Sequence, residues 1–454
     1  MSGSKGRTLI AGPAAGALSG DVVPPGDKSI SHRAVMLGAL ADGVTEISGF
    51  LPGEDNLATA KMFADMGVPI EWLNDEKTRL RVHGSGLYGL SEPVNVLDAG
   101  NSGTCVRLMT GVLAGQPFFS TLVGDASLHK RPMQRVVEPV RRMGAHVDGR
   151  DYGNMLPLAI RGGNLSGIFY RSEVASAQVK SCVLLAGLYA DSETRVNEPR
   201  PSRDHTERML PLFGQPVDVD DEGQVVLRPQ GQLDAPDGIV HVPADPSSAA
   251  FFAVAASLVP DSRLRLSGIG INPRRDGWRR ILSSMGASLE PEAEAFVGSE
   301  PVADLVFQAT RLQGTRVSPD DVPDAIDEFP VLFVAAAFSD GEFILEGARE
   351  LRVKESDRIA SMVAALSACG AEIEERPDGV RVKGCERLKG GVTVDAHGDH
   401  RIAMAMAVGA QRASGEIRIA NAEAIATSFP DFVDIAQSVG MNVRWADGLE
   451  EGAA

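Results

Sequence analysis

Apolar residues recur at helical spacing directly after a polar residue at six places along the chain. After Asp27, the apolar side chains of Ile30, Ala34, Leu37 and Leu40 fall three or four positions apart. This spacing predicts a helix whose first turn is capped by the Asp27 carboxylate. The same pattern, a polar residue followed by a helix of small apolar residues, returns every 69 to 82 residues, at Asp27, Asn101, Ser176, Asp245, Asp327 and Asp399.

Glycine marks the end of a second predicted helix within each interval. An apolar residue precedes each of these glycines and a strand-like run follows it, at a spacing of 70 to 84 residues: Gly67, Gly144, Gly214, Gly286, Gly370 and Gly440. Glycine adopts the left-handed conformation that ends a helix without steric strain. Two independent markers with one period indicate an internal repeat. We therefore predict six copies of a strand–helix–strand–helix unit with additional strands.

The chain is too long for one hydrophobic core, since it has 454 residues, and two α/β domains of three repeats each are expected. The fourth repeat starts at Asp245 without a long linker before it. We therefore predict one domain from residues 27–244 and a discontinuous one from residues 1–26 and 245–454, with a hinge and cleft near Lys28 and Asp245. The ends, up to about Arg7 and over residues 450–454, are predicted to be irregular.

The overall charge narrows the range of partners. A formal net charge of −17 argues against a general nucleic-acid or membrane surface, although a local site can still attract a small anion. The sequence holds no apolar run near the roughly 20 residues of a membrane helix, and no secretory signal pattern. The four cysteines, Cys105, Cys182, Cys369 and Cys385, have no C-x-x-C spacing, which is typical of reduced thiols in a cytoplasmic protein.

Basic and small polar residues cluster at the predicted helix starts of both halves. Helix N-termini favour anions, and arginine binds carboxylate or phosphate in a bidentate manner. Both halves thus offer residues for a substrate with several negative charges, although each motif alone also fits a capped surface helix with solvated charges. His397, Asp399 and His400 could suggest a metal, but Asp399 is better explained as a helix cap, so no metal is predicted. The candidate residues are Lys28, Ser29, Arg33, Asn101, Gly103, Arg107, Lys130, Arg131, Ser176, Ala177, Gln178, Arg203, Asp327, Lys354, Glu355, Arg358 and Arg401.

Several motifs together resemble the 5-enolpyruvylshikimate-3-phosphate (EPSP) synthases, from about residue 10 to residue 440. The motifs are PPGDKSISHR, GNSGT with Arg107, GDASLHKRPM, SAQ, RVKESDR, GDHR and TSFPDF. The resemblance implies a two-domain inverse barrel of six βαβαββ repeats, with pseudo-threefold symmetry in each domain. It also implies transfer of the enolpyruvyl group from phosphoenolpyruvate to the 5-hydroxyl of shikimate 3-phosphate, by a monomer without a metal or organic cofactor.

The resemblance also assigns roles to individual residues. It implies that Asp327 in its ionised form takes the hydroxyl proton, that Glu355 in its protonated form donates a proton to the vinyl carbon, and that Lys28 contacts both substrates. The implied shikimate 3-phosphate residues are Lys28, Ser29, Arg33, Ser176, Ala177, Gln178, Arg203, Asp327 and Lys354. The implied phosphoenolpyruvate residues are Lys28, Asn101, Gly103, Arg131, Gln178, Arg358 and Arg401.

The chain departs from one common family pattern at Thr427, where many relatives carry a lysine that contacts phosphoenolpyruvate. This departure suggests the other major subclass. Gly103 is expected to leave room for phosphonate mimics of phosphoenolpyruvate such as glyphosate, so we predict a glyphosate-sensitive enzyme. Two alternatives remain. One is the sister transferase acting on UDP-N-acetylglucosamine, whose loop at GDASLHKRP carries a cysteine that is missing here. The other is a non-catalytic anion-binding protein of the same fold.

Overall fold

The computed structural model describes residues 6–446, so the first five residues and the predicted irregular tail at 450–454 lie outside it. The described chain divides into two compact units, each with its own hydrophobic core. We call Gly26–Pro243 together with Phe296–Glu300 the N-unit. The C-unit comprises residues 6–25, Ala244–Ala295 and residues 301–446.

The N-unit is built from three repeats that follow two strands of the C-unit, β1 (Leu9–Ala11) and β2 (Ser19–Val22). The first repeat contains α1 (Lys28–Leu40), β3 (Asp42–Ser48), α2 (Glu54–Asp65), β4 (Ile70–Trp72) and β5 (Arg79–Ser85). The second contains β6 (Leu97–Asp98), α3 (Gly103–Ala114), β7 (Phe119–Val123), α4 (Gln134–Met143), β8 (His146–Gly149), the single turn α5 (Arg150–Gly153) and β9 (Met155–Arg161). The third contains β10 (Phe169–Arg171), α6 (Ala177–Gly187), β11 (Thr194–Asn197), α7 (His205–Met209), β12 (Val217–Val219) and β13 (Val225–Leu227), and β14 (Val240–His241) follows.

One topology recurs in the three N-unit sheets, whose strand orders are β14-β3-β5-β4, β6-β7-β9-β8 and β10-β11-β13-β12. In each sheet the first strand runs parallel to the second, and the remaining pairs are antiparallel. The last strand of the unit, β14, supplies the first position in the sheet of the first repeat. The N-unit therefore closes on itself.

The C-unit repeats the pattern with the later part of the chain. Its first repeat contains α8 (Pro246–Leu258), β15 (Arg263–Gly270), α9 (Gly277–Ser284), β16 (Ser288–Val297) and β17 (Glu300–Gln308). The next contains α10 (Asp321–Asp324), α11 (Phe329–Ala337), β18 (Glu342–Leu345), α12 (Arg358–Ala368), β19 (Glu372–Arg376) and β20 (Gly379–Lys383). The last contains β21 (Val392–Asp395), α13 (His400–Ala410), β22 (Ile417–Ala420), α14 (Phe432–Ser438) and β23 (Val443–Trp445).

The three C-unit sheets have the strand orders β16-β17-β15-β2, β18-β20-β19 and β21-β22-β1-β23. Strands β2 and β1, from the start of the chain, complete the first and the last of these sheets. In the middle repeat, isolated parallel bridges between Gln313 and Asp340 and between Arg316 and Ile344 stand where the other sheets have a first strand. The six sheets confirm the predicted α/β repeat fold, and within residues 6–446 none of them closes into a barrel.

The predicted glycine markers are confirmed, because all six glycines have positive φ angles between 80° and 118°. The cap predictions are partly wrong. Asp27, Asp245 and Asp399 accept hydrogen bonds from backbone N–H groups of their helices. Asn101, however, is displaced by its neighbour Ser102, which caps α3, and Asp327 lies two residues before the start of α11, where its carboxylate pairs with cations instead.

The helices that open the C-unit repeats lie in the middle of its core. Every residue of α8, α11 and α13 is buried, and the three helices pack against one another. A helix that is apolar on all sides is stable only when it is covered on all sides. None of the helices in residues 6–446 is long and apolar enough to cross a lipid bilayer.

Candidate functional site

The start of α1 in the N-unit holds Lys28 beside a carboxylate. Ile30 donates its backbone N–H to Asp27 Oδ1 at 2.9 Å, which fixes the first turn. The Lys28 ammonium pairs with the carboxylate of Asp55, and the Lys28 side chain keeps 16% of its surface exposed. Lys28 therefore adds positive charge at a helix N-terminus, where the helix dipole also favours an anion.

Arg33 lies one turn further along α1 and is almost fully buried, with 4% of its surface exposed. Its guanidinium donates to Thr206 Oγ1 at 2.8 Å, Ser181 Oγ at 2.6 Å and the Ser29 carbonyl at 2.9 Å. Burial lowers the pKa of Arg33 to about 10, and the nearby Glu207 carboxylate partly opposes this shift. These hydrogen bonds fix the Arg33 side chain and tie it to the Ser29 carbonyl one turn earlier in α1.

Five predicted residues meet around the start of α3. Arg131 Nη2 donates to Asn101 Oδ1 at 2.7 Å. Arg107 Nη1 donates to Gln178 Oε1 at 2.8 Å. A side-chain carbon placed on Gly103 would lie 2.9 Å from Arg107 Nη1 and 3.0 Å from Arg131 Nη1. Two guanidinium groups thus converge on Gly103, and together with the helix N-terminus they form a site suited to a carboxylate or phosphate.

The start of α6 carries the predicted Ser176, Ala177 and Gln178. The Ser176 N–H donates to Glu198 Oε1 at 3.1 Å, and Gln178 Nε2 donates to Thr104 Oγ1 at 3.0 Å. The contacts of Gln178 therefore join this segment to the site around Gly103. Arg203 lies two residues before α7, close enough to Arg33 to act on its pKa.

A buried arginine organises the candidate residues of the C-unit. Arg358, at the start of α12, has 1% of its side chain exposed. Its guanidinium donates to Asp327 Oδ1 at 3.0 Å, Glu355 Oε2 at 2.5 Å and Asp399 Oδ2 at 2.9 Å. Lys354 Nζ lies 3.1 Å from the same Asp327 oxygen. The structure therefore brings the predicted Asp327, Lys354, Glu355 and Arg358 together.

Charge pairing keeps this arginine ionised. Burial by itself would lower the pKa of Arg358, but the carboxylates of Asp399, Glu355 and Asp327 outweigh it and raise that pKa above its usual value. The three carboxylates and the guanidinium thus form one buried group of closely spaced charges. In such a setting charged side chains can exchange protons with a bound molecule or hold its anionic parts.

Arg401, near the start of α13, is fixed by the segment before α11. Its Nη1 donates to the Asp327 carbonyl at 2.9 Å and lies 3.7 Å from Glu328 Oε1. Glu328 is 1% exposed, and its Oε2 atom has no hydrogen-bond partner within residues 6–446. Arg401 thus belongs to the same group of side chains as Asp327.

Thr427, the position at which the chain departs from a common family pattern, is buried beside α13. Its hydroxyl donates to the Ala424 carbonyl at 2.7 Å and lies 3.5 Å from His400 Nδ1. No group of three or more metal-ligating side chains is present within the described part of the chain.

Sequence reasoning missed the residues that hold the site in place. Asp55 pairs with Lys28, Lys180 pairs with Glu198, and Glu328 contacts Ser247 beside Arg401. The sequence signal for Lys180 is a single charged residue within the mostly apolar helix α6. Because these pairs join residues far apart in the chain, the spacing of apolar residues along the sequence does not predict them.

Comparison with known proteins finds relatives of the same family that match nearly the whole chain. The family described as EPSP synthase (3-phosphoshikimate 1-carboxyvinyltransferase) matches residues 13–435. The chain is 53% identical over 425 residues to the 3-phosphoshikimate 1-carboxyvinyltransferase of Geobacter sulfurreducens, with 94% of this chain and 97% of the relative covered. It is 54% identical over 424 residues to that of Acidithiobacillus ferrooxidans, with 93% and 96% covered.

Solved structures give the same result for the fold. The EPSP synthase from Acinetobacter baumannii is similar at a TM-score of 0.86 and 44% identity, covering 97% of this chain and 100% of that one. The enolpyruvyl transferase NikO from Streptomyces tendae has a TM-score of 0.77 over 97% of this chain and 99% of its own, but at 16% identity this likeness shows the fold alone. On the family match and these identities, the chain belongs to the EPSP synthase family.

Proposed function

We propose that the protein transfers the enolpyruvyl group of phosphoenolpyruvate to the 5-hydroxyl of shikimate 3-phosphate. The hydroxyl oxygen forms a bond to the central carbon of the enol, while the methylene carbon gains a proton and the hydroxyl loses one. The resulting tetrahedral ketal then expels phosphate and loses a methyl proton, which restores the vinyl group. The products are 5-enolpyruvylshikimate 3-phosphate and inorganic phosphate.

The observation that carries this proposal is the sharing of Arg358 by two carboxylates. Asp327 accepts contacts from both Lys354 and Arg358, and two cations favour its ionised form, as a general base requires. Glu355 Oε2 lies 2.5 Å from the same Arg358 guanidinium. An anionic substrate that binds Arg358 competes with Glu355 for the guanidinium, which favours a protonated Glu355 as the acid for the methylene carbon.

The shikimate 3-phosphate residues proposed in the N-unit lie at the starts of α1 and α6. Ser29 and Arg33 would hold the ring and its carboxylate, and Ser176, Ala177 and Gln178 would hold the phosphate. Arg203 would add a further contact. Two helix N-termini and the buried guanidinium of Arg33 support this assignment, since such groups bind anions strongly. In the C-unit, Asp327 would contact the target hydroxyl and Lys354 the phosphate.

The phosphoenolpyruvate residues are proposed on similar grounds. In the N-unit they are Lys28, Asn101, Gly103, Arg131 and Gln178, and the convergence of guanidinium groups on Gly103 supports them. In the C-unit they are Arg358 and Arg401. Positive groups that are already fixed in place stabilise the growing charge on the carboxylate and the departing phosphate without reorganisation. Proton transfer and anion binding account for each step, so the proposal includes no metal or organic cofactor.

We also infer that the enzyme acts as a cytoplasmic monomer. All four cysteines are unpaired thiols, and burial raises the pKa of Cys369 to about 11. Unpaired thiols of this kind are typical of a reducing compartment. Light scattering after size-exclusion chromatography tests the monomer, and a mass that corresponds to two or more chains would contradict it.

Phosphate release distinguishes the proposal from its alternatives. The purified protein is incubated with phosphoenolpyruvate and either shikimate 3-phosphate or UDP-N-acetylglucosamine. We expect phosphate only with shikimate 3-phosphate, and Asp327→Asn should abolish it. Release with the UDP-sugar would favour the sister transferase, while substrate binding without release in either mixture would favour a non-catalytic anion-binding protein.

A further inference from the structure

Glu198 joins two segments of the N-unit through one buried carboxylate. It follows β11 directly, and 6% of its side chain is exposed. Its Oε1 accepts the Ser176 N–H at 3.1 Å and the Ser202 hydroxyl at 2.6 Å, and its Oε2 accepts the Ser202 N–H at 3.2 Å. One side chain therefore connects the start of α6 with the segment that leads through Arg203 into α7.

Lys180 holds this carboxylate from the second turn of α6. Its ammonium lies 2.9 Å from Glu198 Oε2 and 2.7 Å from Glu207 Oε1, and it donates to the Ser202 carbonyl at 3.3 Å. The Lys180 side chain is 3% exposed. Burial would lower the pKa of Lys180, but the two carboxylates outweigh it and raise that pKa.

The two carboxylates that share Lys180 differ in what else they contact. Glu198 makes three further hydrogen bonds to Ser176 and Ser202. Among the residues that the structure describes, the Oε2 oxygen of Glu207 has no hydrogen-bond partner, and burial raises the pKa of the Glu207 carboxyl. Well-packed apolar side chains can often replace a buried ion pair with little loss of stability. Stability alone is therefore a weak reason for an ion pair at this position, whereas the hydrogen bonds of Glu198 hold the Ser176 N–H and Ser202.

We propose that Glu198, anchored by Lys180, is a positioning residue for the phosphate of shikimate 3-phosphate. It fixes the Ser176 backbone and the Ser202–Arg203 segment before the substrate arrives, so that binding costs less conformational entropy. This inference rests on the proposed function, because Ser176 is assigned to the phosphate there. The inference adds Glu198 and Lys180 to the residues that support shikimate 3-phosphate binding, and neither of them contacts the substrate itself.

The test compares the two substrates in Glu198→Gln and Lys180→Met variants. Steady-state phosphate release gives kcat and both KM values, and calorimetric titration with shikimate 3-phosphate alone gives its Kd. We expect KM and Kd for shikimate 3-phosphate to rise roughly ten- to hundredfold, the range for loss of a charge-assisted hydrogen bond. KM for phosphoenolpyruvate and kcat at saturation should change less than about threefold, because a positioning residue for one ligand leaves the chemical step intact.

Glu207→Gln is the matched control, because it removes a partner of the same lysine but no hydrogen bond to Ser176 or Ser202. Since Glu207 also acts on the pKa of Arg33, we expect a smaller effect on shikimate 3-phosphate affinity than in Glu198→Gln. Lys180 keeps one carboxylate in either Glu→Gln variant, so both should fold, and circular dichroism checks this. Glu198→Asp, which retains the charge, should restore part of the affinity. A rise in both KM values, or an equal effect of Glu207→Gln, would overturn the positioning role. An active wild-type enzyme with unchanged kinetics in Glu198→Gln would overturn this inference alone, whereas an inactive wild type would overturn the proposed function.

Discussion

Replacing Gly103 by alanine tests whether the guanidinium groups around it bind phosphoenolpyruvate. The new methyl carbon would lie 2.9 Å from Arg107 Nη1 and 3.0 Å from Arg131 Nη1. To regain an ordinary contact of 3.4 Å, each guanidinium must withdraw by about 0.4 to 0.5 Å. Both are side-chain ends that can move, so the fold should tolerate the change.

The withdrawal strains hydrogen bonds that fix both arginines. Arg107 is held at 2.8 Å from Gln178 Oε1, and Arg131 at 2.7 Å from Asn101 Oδ1. Complete loss of a hydrogen bond to a charged group costs about 1.5 to 3 kcal/mol, and weakening two of them costs about 1 to 2 kcal/mol. That energy corresponds to a decrease in phosphoenolpyruvate affinity of roughly five- to thirtyfold.

The assay measures KM for each substrate and inhibition by glyphosate in the wild type and in Gly103→Ala. We expect KM for phosphoenolpyruvate to rise by the stated factor, KM for shikimate 3-phosphate to stay constant, and a glyphosate-sensitive wild type to become less sensitive. Gly163→Ala is the control, because a methyl carbon there meets nothing within 4 Å. Equal glyphosate inhibition of wild type and Gly103→Ala would refute the steric argument.

Three further predictions concern the C-unit. Glu355→Ala should lower kcat by roughly 10²- to 10⁴-fold, the usual contribution of a general acid, with little change in either KM, and an equal loss in kcat and affinity would contradict the acid role. Glu328→Gln should raise KM for phosphoenolpyruvate severalfold and leave that for shikimate 3-phosphate unchanged, because Glu328 lies 3.7 Å from the Arg401 guanidinium; unchanged kinetics would contradict that contact's importance. Burial raises the pKa of Asp276 to about 6, above its value in the unfolded chain. The ionised carboxylate therefore lowers the free energy of unfolding above pH 6, and this loss of stability disappears as the pH falls towards 4. Asp276→Asn should therefore stabilise the protein more at pH 8 than at pH 4.5, by at most about 3 kcal/mol, and thermal unfolding with a larger gain at pH 4.5 would refute this sign.

The repeat architecture could be predicted because its markers depend on local backbone physics. A helix followed by a left-handed residue requires glycine almost regardless of the tertiary surroundings, so Gly67 and its five equivalents could be recognised. Caps were harder to assign, because Asn101 and Ser102 can both cap a helix and only the backbone conformation selects Ser102. Asp327 has a cap-forming side chain, but nearby cations outcompete the helix for it.

Long-range pairing could not be predicted from the repeat. The segment Phe296–Glu300, which spans the end of β16, the turn and the first residue of β17, belongs to the N-unit, where His205 Nδ1 hydrogen-bonds Glu300 Oε1 at 2.7 Å. The local sequence of the turn does not indicate a partner 95 residues away. The same holds for Glu198 and Lys180, since each is ordinary in its own segment and gains its role only through the other.

The position of β1 between β22 and β23 has a consequence for synthesis. Leu9 pairs with Ile419 on one side and with Trp445 on the other, so β1 leaves the ribosome long before the two strands that flank it. At about 5 to 20 residues per second, the intervening roughly 400 residues take some 20 to 80 seconds to translate. During that interval the apolar segment Leu9–Ala11 cannot form its pairs with both β22 and β23. Until residue 445 has emerged, this apolar segment therefore lacks part of its sheet and is open to non-native contacts.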